Sequence, residues 1–350
     1  MDNRITKKRL HDLFSYDWLK AILIVLGVII AWEFIYAVAS VKLTSGQEFK
    51  VFFDQNVYHV ETNQILKDIQ DKKILSYDVL DYGSENMLAD YNLLSTRIEV
   101  GEGDIVFTDN KVNETEGEEK VVVRAKTVID QNPIYSYQDL LRNSKTYIIS
   151  YFYKNGVIDL SKIDKVYLDR LELDLSNIDG QKIESVFRER MKKDNRFRKE
   201  AQIVEGIKEE KARIEKLVSD INFFSKFMQN AESYFRQEIF MRYTRYEQSL
   251  EQATEDADIE DYSGAIEREK EQGRENAVYG IDMGVLSSIG SPKEDASSLV
   301  KLNTSSAEDS GTADNVIMMV INLQKEQPHL QYETISFIRY IIETYSTFKA

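Results

Sequence analysis

Apolar positions between residues 47 and 110 follow two rhythms. "EFKVFFD" (48–54) and "DIVFTD" (104–109) crowd apolar side chains into the length of a strand, and "ILSYDVLDYG" (74–83) alternates every second residue, as extended chain does. Residues 59–73 instead set Val60, Ile65, Leu66 and Ile69 toward one side, the spacing of a helix. Residues 84–103 do the same with Met87, Tyr91, Leu94 and Ile98, and there Ser84 is the expected N-cap and glycine the expected stop. Strand, helix, strand, helix, strand predicts a parallel sheet with covering helices.

Farther along, 110–120 reads as a solvated loop and "VVVRAKTVI" (121–129) as another strand. "YSYQDLLRNSKTYIISYFYKNGVIDLSKID" (135–164) alternates helical and extended pieces, and its tyrosines read as packing or a lobe interface. In 183–250, Ile207, Ile214, Leu217, Ile221, Phe224, Met228, Ala231, Phe235 and Ile239 recur at threes and fours. That is an amphipathic helix with a near-heptad seam, either one of a pair packed on the domain or an oligomerising coiled coil. Residues 251–275 are acidic and compatible with helix, and 277–286 reads as a strand. Residues 287–314, rich in Ser, Gly and Asp, read as a mobile surface loop. The chain closes with a strand (315–323), a turn at Pro328 and a helix.

The N-terminus changes the setting of everything after it. Residues 21–41 carry one charge, Glu33, over a length that crosses a hydrocarbon core. Arg4, Lys7, Lys8, Arg9 and Lys20 precede the span, against Lys42 and Lys50 after it. The expectation is a cytoplasmic tail (1–20), a transmembrane helix (21–41) and an extracellular unit (45–350) in the cell membrane. The small-x-small pattern Ala37-Val38-Ala39 keeps open a signal peptide cut after Ala39 and a secreted product.

The 350 residues carry a net charge of −15, which argues against nucleic acid as a partner, because nucleic-acid binders need a basic stripe. Cysteine is absent, and with it disulfides, thiolate nucleophiles and Cys-bound metals. The three histidines, His11, His59 and His329, fall in no metal-ligand spacing. With no phosphate loop or nucleophile elbow either, the sequence reads as a non-catalytic protein needing no cofactor.

The order "EFKVFFD", helix, "ILSYDVLDYG", helix "LLSTRIEVGEG", "DIVFTD" resembles the N-terminal lobe of the extracellular solute-binding proteins that serve bacterial ABC transporters. It is also similar to single-pass membrane proteins of Gram-positive bacteria that carry such a lobe. Residues 47–110 carry the resemblance best and 315–348 fit the family's end, about half the chain in all. The resemblance implies a periplasmic-binding-protein-like α/β fold with parallel-rich sheets, its two lobes closing over a small solute for a membrane permease. It implies Tyr82, Gly83, Asp104, Thr108 and Asp109 as cleft residues, with Tyr279 and Asp282 on the returning segment. The missing lipid-attachment Cys and the bulky 183–250 region depart from that pattern. They favour as alternative an envelope scaffold acting through the long helix, whose sign is an exposed seam at Ile214, Leu217, Ile221 and Phe224.

Overall fold

The computed structural model describes residues 6–8, 11, 18–39, 45–60, 62–87, 92–114, 121–235, 238–254, 256–303, 311–323 and 332–349. Its contacts divide the chain into two units, Met1–Leu43 and Thr44–Ala350.

In the first unit the described residues include a long helix, α1 (Trp18–Ala39). Its stretch Trp18–Tyr36 has a mean hydropathy of 2.2 and none of it is buried in protein, so α1 is long and apolar enough to cross a membrane. The expected span ended at Val41, and the expected cut lies after Ala39. Residues 40–44 fall outside the described residues.

In chain order the second unit runs β1 (Glu48–Phe53), β2 (Val57–His59), α2 (Thr62–Asp71), β3 (Asp81–Asn86), α3 (Leu93–Glu99), β4 (Ile105–Asp109), β5 (Val112–Glu114) and β6 (Val121–Val123). A helical middle follows: α4 (Arg124–Gln131), α5 (Tyr137–Phe152), α6 (Lys165–Arg170), α7 (Gly180–Arg190) and α8 (Glu200–Phe235). The chain then returns through β7 (Phe240–Tyr243), α9 (Glu247–Gln252), α10 (Asp256–Glu271), β8 (Ala277–Asp282), α11 (Met283–Ser288), β9 (Val300–Leu302), β10 (Val316–Val320) and α12 (Glu333–Tyr345).

One six-stranded sheet organises the unit, in the order β3-β1-β4-β10-β8-β7. β1 pairs in parallel with β3 and β4, while β10 runs antiparallel to β4 and β8, and β7 antiparallel to β8. The sheet is therefore mixed, with its parallel part confined to β3-β1-β4. Both faces are covered, which is why its central strands read as unbroken apolar runs. Phe49, Val51, Phe53, Ile105, Phe107, Val316 and Met318 face a core shared with α5, α8 and α12. Phe52, Val106, Ile317 and Met319 face a second core under α3 and α4. The contacts gather residues 44–350 as one unit around this sheet and do not separate two lobes.

Several expected elements are displaced, each for a local reason. The strand expected over 74–83 starts at Asp81, because Asp78 is buried against Arg190 and Arg196 and holds its neighbourhood as a turn. Ser84 lies in β3 opposite Val51 and caps no helix. "VVVRAKTVI" is strand only over β6; Arg124 starts α4, where Ala125, Val128 and Ile129 pack at helical spacing on the second core. The expected loop 287–314 contains β9, which pairs with β2, although 304–310 lie outside the described residues, as do 115–120 and Pro328.

The helix expected in 183–250 is α8, of 36 residues. Its seam is internal: Ile214, Leu217, Ile221 and Phe224 are all buried. The scaffold reading required those side chains to be exposed, so that seam is not available as a docking surface. Gly206 sits in this helix because a Cβ there would lie 2.4 Å from Phe187 Cζ and 2.6 Å from a ring carbon of Phe197. Gly206→Ala is expected to destabilise the protein by about 1–2 kcal/mol, since overpacking outweighs the gain in helix propensity. At Gly264 in α10 a Cβ meets only Arg268 Nη1, at 3.6 Å. Gly264→Ala is therefore expected to stabilise by about 0.5–1 kcal/mol, and the opposite signs are read from urea unfolding midpoints.

Candidate functional site

In an open α/β sheet, ligands bind outside the carboxyl ends of the strands. Here β1, β3, β4 and β8 end at one edge, which collects Asp54, Asn86, Thr108, Asp109 and Asp282. Of the expected site residues, Thr108, Asp109 and Asp282 thus come together. Asp104 precedes β4 and lies at the opposite end of that strand, its carboxylate accepting the Lys50 backbone N–H at 2.9 Å. Tyr82 and Gly83 lie within the edge strand β3, paired with Phe49 and Lys50. Tyr279 is buried in mid-strand, with the Arg245 guanidinium 5.7 Å from its ring centre.

The edge is closed by the chain itself. β2 crosses it and is covered in turn by β9. The backbone N–H of His59 donates to Asn86 Oδ1 at 3.2 Å, and Asn56 Nδ2 donates to Asp109 Oδ2 at 3.3 Å. Arg124 Nε and Nη2 donate to the buried Asp54 carboxylate at 2.7 and 3.0 Å, and Thr108 Oγ1 donates to it at 2.9 Å. Burial pushes the Asp109 carboxyl up, against the hydrogen bonds from Lys111 and Asn56. Burial also raises Asp282 to about 6, although its Oδ1 caps α11 by accepting the Val285 N–H. Thr108, Asp109 and Asp282, which the sequence offered as ligand contacts, are each engaged by other groups of the chain.

His59 at this edge is not engaged in this way. It is 6% exposed, its ring lies 4.9 Å from that of Phe53, and neither ring nitrogen has a hydrogen-bond partner among the described residues.

Open concavities lie on the helical side. A groove of about 540 Å³ runs along α5 between Val186 and Arg190 of α7 and Tyr332 before α12. The rings of Tyr151 and Tyr332 lie 5.4 and 5.2 Å from that of Tyr147, all tilted, and Tyr151 is 51% exposed. Asn143, Thr146 and Ser150 share the same helix face and give the groove neutral hydrogen-bonding groups. Arg190, its only charged lining residue among the described ones, is neutralised from behind: Nη2 donates to Glu210 Oε2 at 3.2 Å and to Asp78 Oδ2 at 3.3 Å. Burial would raise the Glu210 carboxyl, but the guanidiniums of Arg213 and Arg190 hold it well below the usual carboxylate range. Burial, helped by the neighbouring tyrosines, raises Tyr332 to about 12, so its phenol remains a neutral donor at physiological pH.

From sequence, the tyrosines of 135–164 read as packing or a lobe interface. A signal was present: Asn143, Thr146, Tyr147, Ser150 and Tyr151 recur at threes and fours, opposite the buried face Leu140, Leu141, Ile148 and Phe152. No protein-family model, curated protein or solved structure matches the chain.

His59 generates a test of the closed edge. Burial lowers its imidazole from 6.5 to about 4, so the folded state favours the neutral ring. A folded pKa below the unfolded one means stability is full above pH 6.5 and is lost as pH falls toward 4. Between about pH 7 and about pH 4.5, His59→Phe is expected to lose about 2 kcal/mol less than the wild type. Urea titrations of both proteins at each pH measure this, with the shared carboxylate titrations cancelling in the difference.

Proposed function

We propose that this chain is a membrane-anchored, non-catalytic binding protein that captures a small uncharged solute in the groove along α5. The observation that carries the reading is the tyrosine-lined groove, with its neutral amide and hydroxyl side chains and its one guanidinium already neutralised. Its volume is in the range of small-molecule sites, about 300–1,000 Å³. Tilted aromatic faces favour a ligand with a flat or ring-shaped apolar face, and Asn143, Thr146 and Ser150 favour hydroxyl or amide groups at its rim.

In this reading α1 spans the membrane with the N-terminus in the cytoplasm, and the second unit works outside the cell. Delivery to a membrane permease is the role that the resemblance to solute-binding proteins suggests. The reading keeps solute capture from that resemblance and replaces closure of two lobes with a preformed groove.

Two experiments test it. Thermal unfolding of the protein is followed against a panel of sugars, polyols, amino acids, peptides and metal salts. A solute at about a hundredfold its Kd is expected to add about 2.7 kcal/mol, raising Tm by about 5 °C, and Tyr151→Ala and Tyr332→Ala are each expected to abolish the shift. A flat response across the panel sinks the groove as a solute site.

Orientation is tested separately, using the absence of native cysteine. A membrane-impermeant maleimide added to intact cells is expected to modify Lys162→Cys, at a side chain 81% exposed, and to spare Lys8→Cys. The reverse pattern refutes the exported placement.

A further inference from the structure

The segment "RERMKKDNRFRK" (188–199) packs seven basic residues against two acidic ones, in a chain whose net charge is −15. The structure sorts those cations by direction. Arg190 and Arg196 turn inward and both donate to the buried Asp78 carboxylate, at 3.3 and 2.6 Å, which fixes the segment to the body of the unit. Lys193, Arg198 and Lys199 are exposed and form no ion pair among the described residues. Lys192, whose side chain is 65% exposed, pairs with the exposed Glu189.

Lys192, Lys193 and Arg198 rim a groove of about 410 Å³, with Asp194 and Asn195 beside them, over an apolar floor of Met191, Phe197 and Ile203. Val204, immediately beyond it, is 56% exposed. A cationic rim over an apolar floor is complementary to an amphiphile with a phosphate headgroup, and clustered Lys and Arg side chains are drawn to anionic lipid.

The place of the segment in the fold adds a second argument. Asp78, which holds Arg190 and Arg196, lies two residues before Leu80, whose backbone N–H donates to Gln47 O at 2.8 Å. The basic segment therefore lies beside the residues with which the second unit begins. In sequence, residues 40–44 join Ala39 of α1 to Ser45.

We propose that the 188–199 face docks the second unit onto the anionic phospholipid headgroups of the membrane that α1 enters. The proposal rests on α1 as a membrane anchor and is independent of what occupies the groove along α5.

Full-length protein in lipid nanodiscs tests it. A donor dye is placed at Glu205→Cys, beside the patch, or at Lys162→Cys as the control, and energy transfer to a headgroup-labelled lipid is read. Transfer from position 205 is expected to rise at least about twofold when a quarter or so of the neutral phosphatidylcholine is replaced by phosphatidylglycerol, and to fall back in about 1 M salt. It is also expected to fall back in the quadruple variant K192E/K193E/R198E/K199E. Those side chains face solvent, so the variant keeps the wild-type unfolding midpoint and its loss of transfer reports docking and not folding. Each single reversal is expected to weaken docking by about fivefold or more. Equal transfer in neutral and anionic discs, or transfer unchanged by the quadruple variant, overturns the proposal. A third outcome overturns it in favour of a soluble polyanion: no gain on anionic lipid, but charge-dependent binding of poly(glycerol phosphate).

Discussion

A guanidinium without access to water governs the helical half of this protein. Arg213 of α8 is buried, and its donors reach Glu210 at 2.9 Å and Glu333 of α12 at 2.9 Å. Glu210 passes the connection on, accepting from Arg190 and from the Tyr77 hydroxyl, and Arg190 reaches Asp78. Removing one member of such a set strands an opposite charge in low dielectric, at about 3–5 kcal/mol. The four segments that meet here, α7, α8, α12 and the turn at 77–78, therefore have one arrangement that satisfies every charge. Tyr147 is set by the same hub, its hydroxyl accepting from Arg213 Nη2 at 3.4 Å. The groove along α5 and the orientation of the basic segment both depend on this constraint.

The sheet obeys a different constraint. A strand edge in an α/β fold presents backbone ends and polar side chains that need partners, and an open crevice leaves that need to a ligand. Here β2 and β9 supply the partners internally, and Arg124 neutralises Asp54 with a two-pronged contact. Once the edge is satisfied by the chain, a solute there would have to displace intramolecular hydrogen bonds. The groove along α5 makes no such demand. That difference in cost favours the helical side for the proposed solute.

The parts of this fold that were legible in the sequence are those where one physical signal dominates. Dense apolar runs gave β1, β4 and β10, because a strand buried on both faces has no polar side to show. The threes-and-fours spacing from Ile214 to Phe235 gave α8. Legibility failed where local pattern and distant partner compete. The alternation in 74–83 is real, but Asp78 is committed to arginines more than a hundred residues away, and the strand begins only after it. "VVVRAKTVI" has strand propensity throughout, yet the Arg124–Asp54 pair and the packing of Val128 and Ile129 favour helix. Strand direction brings Thr108, Asp109 and Asp282 to one edge and leaves Asp104 at the opposite end of β4. Their closure under β2 and β9 was invisible, because pairing of a three-residue strand with another some 240 residues later leaves no local mark.

The same long-range pairing explains how an acidic protein can hold a basic face at all. Spread over the surface, the cations of residues 188–199 would be neutralised by the prevailing carboxylates, and exposed pairs of that kind are worth little. The fold instead sinks Arg190 and Arg196 onto carboxylates drawn from elsewhere in the chain, Asp78 and Glu210, so that the anchoring charges are consumed inside. What remains outside is an excess of Lys193, Arg198 and Lys199 over apolar side chains that Gly206 allows to pack tightly, Phe197 among them. A segment that only solvated a surface would not need two of its arginines fixed in the interior to aim the others. Rigid presentation of charge is of use to an extended partner, such as a layer of headgroups, because each fixed cation loses little conformational freedom when it binds.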